Sequence, residues 1–297
     1  MEWSTCIKTA INYMEEHLLE AIGPVEVSNH IGISTMYLSR GFQILTGYTL
    51  AEYIRNRRLY EAGKEISLQK SKIIDIAFKY GYETPESFTK AFTRFHKITP
   101  LEAKKNASHL REFLPLHIEI NIKGGNYMEY IVEKRSSFKL IGIVKEISFE
   151  NSYKEIPLFW DEVWSKYHTR LYAGEKPTTL VEHAILKYHI GEFGLCCAEE
   201  TSPGKFKYYI AGYYEGGEIP VGLEVVELPE LEWARFKCVG PMPKALQDVN
   251  TKIFKEWLPG NRDYEIFSKY DIEWYSSEKD PQAEDYHSEI WIPIKRK

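Results

Sequence analysis

Slid along itself by fifty positions, the N-terminal part of the chain matches itself. Ser34-Thr-Met-Tyr-Leu-Ser-Arg-Gly-Phe-Gln falls on Thr84-Pro-Glu-Ser-Phe-Thr-Lys-Ala-Phe-Thr. Leu38, Phe42 and Leu45 land on Phe88, Phe92 and Phe95, and Arg40 on Lys90. Apolar residues at i, i+4 and i+7 make one buried stripe on a helix. The repeat therefore constrains this region to paired helical units, each burying the same stripe.

Each copy has a start and an approach. Ser34 and Thr84 are N-cap residues whose hydroxyls suit the first orphan N–H groups, and Pro85 sits at the first helical position. A short helix and a glycine turn precede each copy: Val27 to Ile31 with Gly32, and Ile73 to Tyr80 with Gly81. Helix, glycine turn and helix make a helix-turn-helix motif. A connecting helix is expected over Leu50 to Ile66. Thr99-Pro-Leu-Glu102 reads as a capping box opening one more helix.

The charge is distributed to match. The chain is acidic overall, at −5, yet Ser34 to His109 carries 13 basic and 7 acidic residues. A basic block in an acidic chain marks local phosphate contact. With the apolar stripes inward, the outward faces carry Met36, Ser39, Arg40 and Gln43 in the first copy, and Glu86, Thr89, Lys90 and Thr93 in the second. Most can hydrogen-bond to base edges or phosphates. These eight are the candidate DNA-binding residues, with the major groove of double-stranded DNA as the partner.

Met36-Tyr-Leu-Ser-Arg-Gly-Phe and Ile74-Asp-Ile-Ala-Phe-Lys-Tyr-Gly-Tyr-Glu-Thr-Pro-Glu-Ser-Phe-Thr-Lys-Ala-Phe resemble the DNA-binding domain of the AraC/XylS family. The resemblance implies two recognition helices in successive major-groove segments, about one helical turn apart. Two residues depart from the pattern: Gly41 inside the first recognition helix, and Lys97 where the family usually has glycine.

Past a junction over Ala107 to Asn126, aromatic residues become frequent and the segments turn strand-like. Tyr127 to Lys134, Phe138 to Ile147, Tyr208 to Tyr214, Leu223 to Leu228, Trp233 to Val239, Phe267 to Tyr275 and Ser288 to Ile294 read as strands. Ile156 to Tyr167 and Pro243 to Trp257 read as helices. The expected fold class is multidomain: an all-α N-terminal domain with two helix-turn-helix motifs (1–108), a linker (109–126), and an α+β domain (127–297). The last is expected to have an antiparallel sheet and an internal two-fold pseudo-repeat.

Phe138-Lys-Leu-Ile-Gly-Ile143, Tyr208-Tyr-Ile-Ala-Gly212, Leu231-Glu-Trp-Ala-Arg-Phe236, Gly240-Pro-Met-Pro-Lys-Ala-Leu246, Trp257-Leu-Pro-Gly260 and Glu289-Ile-Trp-Ile-Pro-Ile294 together resemble the GyrI-like effector-binding domain. The order of the two domains is that of Rob-like regulators. In the last strand Ile290, Ile292 and Ile294 share one face, and Glu289 and Trp291 share the other. The resemblance implies an open groove on the second face with Glu289 as its acid. A carboxylate among aromatic rings suits a lipophilic cation. Tyr209, Tyr213, Trp160, Trp164 and Trp274 are the candidate wall residues. A solvated Glu289 and core tryptophans fit the same pattern.

The expected function is a sequence-specific transcription regulator, an activator, whose second domain binds a small lipophilic or cationic effector and which contacts RNA polymerase. Two alternatives stay open: hydrolysis of a small molecule by Glu289 with Tyr209 or Tyr213, and a pure protein-interaction module. No P-loop, G-x-G-x-x-G, G-x-S-x-G or H-E-x-x-H is present, so no enzyme, catalytic residue or cofactor is expected. Cys6, Cys196, Cys197 and Cys238 contain no C-x-x-C, which speaks against a metal site and for reduced thiols. With neither a signal peptide nor a membrane-length apolar run, a cytoplasmic location off the membrane is expected.

Overall fold

The computed structural model describes residues 3–106, 109–117, 128–202, 204–267 and 269–297. They form two units, one within Trp3–Asn121 and one within Ile122–Lys297.

The first unit is helical: α1 (Trp3–Glu16), α2 (Pro24–Ile31), α3 (Thr35–Thr46), α4 (Leu50–Ser67), α5 (Ile73–Lys79), α6 (Pro85–His96) and α7 (Pro100–Lys105). The repeat is α2-turn-α3 and α5-turn-α6. Its stripes are buried at Leu38, Phe42, Phe88, Phe92 and Phe95, with Leu45 half-buried. Thr99 forms the expected capping box with Glu102 at the start of α7, and Thr49 forms one with Glu52 at the start of α4. The two recognition helices start differently. Thr84 caps α6 by accepting from the Ser87 N–H, but the Ser34 hydroxyl makes no cap bond. The start of α3 is instead tied to α2 by a 2.6 Å hydrogen bond between the Ser28 and Thr35 hydroxyls. Helix α4 joins the halves through a buried ion network. Arg57 donates to Glu15, to Glu61 and to the Phe113 carbonyl, and Tyr53 donates to Glu15.

Residues 109–117, expected to begin the linker, pack on this unit. Leu110 and Phe113 join its core. The Arg111 N–H donates to His96 Nδ1, and the Leu116 N–H to the Tyr53 hydroxyl. The rest of the expected linker, residues 118–126, lies outside the described residues, as do 107 and 108.

The second unit is α+β. Among its described residues nine strands form one sheet: β1 (Tyr130–Arg135), β2 (Phe138–Ser148), β3 (Phe193–Ser202), β4 (Lys205–Tyr213), β5 (Glu224–Leu228), β6 (Leu231–Val239), β7 (Tyr264–Ile266), β8 (Tyr270–Tyr275) and β9 (His287–Arg296). The order is β1-β6-β9-β8-β3-β4-β2-β5, with β7 on β9, and the paired strands are antiparallel. Strands β8 and β3 are therefore central. Helix α8 (Ser152–Val163) continues through a π-helical turn (Trp164–His168) into α9 (Thr169–Tyr172); α10 (Leu180–Tyr188) and α11 (Lys244–Lys252) follow. A second π-helical turn, Ile253–Trp257, extends α11. Helix α10 and strand β3 were not expected from the sequence, and the strand expected from Phe267 begins at Tyr270.

The two faces of the sheet differ. Phe159 and Trp160 of α8 meet Tyr208, and the Trp257 ring meets Phe236. The helices thus cover the face that also holds Ile290, Ile292 and Ile294. The other face has its own apolar cluster, including Leu140, Phe193, Leu195, Tyr209, Trp233, Ile272 and Trp291.

Candidate functional site

The expected DNA-reading face is more open on α6 than on α3. On α6, Glu86, Thr89 and Lys90 are exposed and Thr93 is half-buried. Thr89 donates back to the Pro85 carbonyl. Arg94 and Lys97 are also exposed at the end of α6, and sequence reasoning missed both. On α3 the expected face is corrected: Met36 is 5% exposed and belongs to the core. Its side chain lies one residue from buried Tyr37, and the helix buries a wider arc than the i, i+4, i+7 stripe. Ser39 is half-buried, with its hydroxyl oxygen shielded and unbonded. Arg40 and Gln43, both half-buried, complete the expected set on α3.

In the second unit, alternation places Glu289, Trp291, Trp274, Tyr209 and Tyr213 on one face, as the register confirms. That face is not an open acidic groove. Glu289 Oε2 accepts from Arg235 Nε at 2.9 Å and from the Trp291 indole at 2.6 Å. Arg235 also bonds Glu133, and its guanidinium lies 4.6 Å from the Trp291 ring centroid. Arg135 covers the same ring at 4.8 Å. The carboxylate that was to meet a foreign cation already holds the protein's own. Nor is an acid–base pair assembled around it. The Tyr213 hydroxyl accepts from Arg135, and the Tyr209 hydroxyl lies 3.5 Å from Glu224. Trp274 packs its ring on His287.

Trp160 and Trp164 belong to the opposite, helix-covered face, and there a second carboxylate stands. The sequence Tyr270-Asp-Ile-Glu-Trp-Tyr275 turns Ile272 and Trp274 one way and Glu273 and Tyr275 the other. Glu273 Oε2 accepts from the Tyr275 hydroxyl at 2.9 Å and from the Tyr208 hydroxyl at 3.1 Å. The Trp160 indole N–H donates to that Tyr208 oxygen at 2.9 Å, and its ring packs edge-on against Tyr275. Space for this arrangement comes from Gly194: a Cβ there would stand 2.2 Å from the Tyr208 hydroxyl. Burial and the Glu273 charge raise both phenols well above their ordinary range, so they remain donors at neutral pH. No basic side chain pairs with Glu273 among the described residues. A partly exposed carboxylate held by two phenols, beside an indole, has the chemistry to attract a cation with apolar substituents.

Sequence reasoning missed Glu273. The alternation on β8 was a signal that it shares a face with Tyr275, but nothing local reveals that Tyr208 and Trp160 reach the same point. A shallow cavity of about 360 Å³ elsewhere, lined by Phe138, Tyr213 and Glu227 among others, contains no residue of this cluster. Among the described residues no group of His, Cys, Asp and Glu is arranged to hold a metal ion.

A two-motif helical reader joined to a sheet domain with a charged aromatic site is the build of a ligand-responsive transcription regulator. Residues 131–294 match the family model of the integron-associated effector binding protein, and residues 27–106 match a helix-turn-helix domain. The first match spans more than half of the chain, which therefore belongs to that effector-binding family; its N-terminal unit is an AraC-type DNA-binding domain. The TetD protein of transposon Tn10 from Escherichia coli is 38% identical over 103 residues, 35% of this chain and 75% of TetD. The transcriptional activator AarP of Providencia stuartii is 34% identical over 97 residues, 33% of this chain and 72% of AarP. The structure of SAV2435 bound to tetraphenylphosphonium aligns with 57% of this chain and 94% of that one, at 23% identity and a TM-score of 0.45. The chain is a DNA-binding transcription regulator with a GyrI-like effector-binding domain.

Proposed function

We propose that the effector is a lipophilic cation and that Glu273, not Glu289, binds its charge. The observation that carries this reading is the contrast between the two carboxylates. Glu289 is neutralised by Arg235, whereas Glu273 has two phenol donors and, among the described residues, no cationic partner. Bringing a second cation to Glu289 means displacing a guanidinium, while at Glu273 nothing has to leave. Each ring against a bound cation adds about 0.5–2 kcal/mol. Thermal-shift titration with tetraphenylphosphonium is the test. Glu273→Gln should abolish the stabilisation and Glu289→Gln should leave it in place. The reverse result would return the site to Glu289.

The domain acts by binding rather than turnover. Tyr208 and Tyr275 are held protonated, so neither is a base at neutral pH. Mass spectrometry of the bound cation over hours should show it unchanged, and a hydrolysed product would overturn this.

The regulator is read as an activator, which the name of the relative AarP supports, and as one that contacts RNA polymerase in the cytoplasm. Loss of a reporter transcript on deleting the gene would agree; a gain would make it a repressor. Within the reader, Arg40 reads a base and Lys90 binds a phosphate. In gel-shift titrations Arg40→Ala should cost specific binding about 1–3 kcal/mol and spare nonspecific binding. Lys90→Ala should weaken both alike and reduce the salt slope by about 1. Equal losses from Arg40→Ala would remove its base-reading role.

A further inference from the structure

The helix that carries Trp160 continues past the Glu273 site. Trp160, Trp164, His168 and Tyr172 are spaced by four. In an α-helix each such step overshoots a full turn by about 40°, so three steps would carry the last ring off the face. The π-helical turn from Trp164 to His168 is wider and takes back part of that drift. The Trp164, His168 and Tyr172 rings accordingly lie near-parallel, with interplanar angles of 7°, 11° and 16°. Trp164 is 43% and Tyr172 67% exposed, an unusual presentation of two large rings.

A further carboxylate stands beside them. Phe193 pairs with Trp274, and the Tyr275 N–H donates to the Glu192 carbonyl, so Glu192 lies opposite Tyr275 and shares a face with Gly194 and Glu273. Diagonal neighbours on one face of an antiparallel pair are about 7–8 Å apart. The aromatic wall rests on this segment: His168 Nε2 is 2.7 Å from the Ile190 carbonyl, and a Cβ on Gly191 would come within 2.9 Å of the same nitrogen. The other ring nitrogen, Nδ1, is buried and meets no hydrogen-bond partner. Glu192 is half-buried, and burial raises its carboxyl above the ordinary range. Burial, and after it the Glu192 charge, raises the Tyr172 phenol.

We propose that Glu192, backed by Trp164 and Tyr172, is a second cation subsite, and that the effector class is a flat aromatic dication spanning Glu192 and Glu273. This rests on Glu273 as the first subsite. A ligand with one charge uses Glu273 alone. One with a second charge roughly 7–8 Å from the first gains the outer carboxylate and the aromatic wall.

Ethidium and propidium share a planar ring, and propidium adds a quaternary ammonium on a short arm. Fluorescence titration of the full chain without DNA should show propidium binding about tenfold tighter, one step of 1.4 kcal/mol. Glu192→Gln should erase that preference and leave ethidium affinity unchanged, and Trp164→Ala should reduce it. Glu218→Gln, at an exposed loop position, should not change it. Equal affinities in the unmodified chain, an unchanged preference in Glu192→Gln, or the same loss in Glu218→Gln would overturn the second subsite. Unchanged ethidium binding in Glu273→Gln would instead overturn the first. The two failures are therefore separable.

Discussion

At the scale of single residues, Lys97 and His96 of the helical unit each carry a consequence for stability. Lys97 ends α6 with φ 64, in the left-handed region that glycine occupies without cost. Lys97→Gly should stabilise the unit by about 1 kcal/mol, read by chemical denaturation, and no gain would mean the lysine makes a compensating contact. His96 is 3% exposed, with Nε2 at 3.0 Å from the Leu59 carbonyl and Nδ1 accepting from Arg111. Only the neutral ring with its proton on Nε2 serves both bonds. Burial holds its pKa below the ordinary 6.5. Below 6.5 the unfolded chain takes up the proton first, so stability falls as pH drops toward the folded value. Melting temperature should decline through that window, and His96→Gln should flatten the decline. The candidate residues were unevenly legible at this scale. Arg40, Gln43 and Lys90 stand out as candidates in the sequence because a helix face repeats locally. Glu273 was not, because its phenol and indole partners come from strand β4 and helix α8, and alternation cannot tell which face of a sheet the helices will cover.

Elements were more legible than sites, and the exceptions are instructive. The two recognition helices read alike in sequence but begin differently. Thr84 caps through its hydroxyl, whereas the Ser34 oxygen is shielded and unbonded. Thr84→Ala should therefore cost about 1 kcal/mol. Ser34→Ala should cost little, because no bond is lost with the oxygen. Thermal melts of the two variants decide this, and equal losses would contradict the observed caps. Helix α10 escaped notice because its run, Leu180-Val-Glu-His-Ala-Ile-Leu-Lys-Tyr188, is short and lies beside a cysteine-containing strand of weak alternation. Its capping box, Thr179 with Glu182, was the available signal. The π-helical turns had no such signal, since a widened turn satisfies the same apolar spacing within a residue. The stretch 109–117 reads as linker because it lacks periodicity. It is ordered by single anchors instead, Phe113 against Tyr48, Tyr53 and Phe95.

For the whole molecule, the two units have separate cores, one helical and one built on the sheet. Heating should give two calorimetric transitions. A cationic effector at about 100 times its Kd should stabilise only the effector-binding unit, by about 2.7 kcal/mol. A shift of both would show that the units melt together. The reader also has a property that follows from its repeat being imperfect. A symmetric dimer reads a palindrome, and a palindrome looks the same from either end. Here one helix presents Arg40 and Gln43 and the other Glu86, Thr89 and Lys90. Two unlike readers on one chain make an arrow: the cognate sequence has a front and a back. Reversing that sequence in front of a gene would leave binding intact and turn the protein's other end toward the start of transcription, so orientation itself becomes part of the regulatory signal.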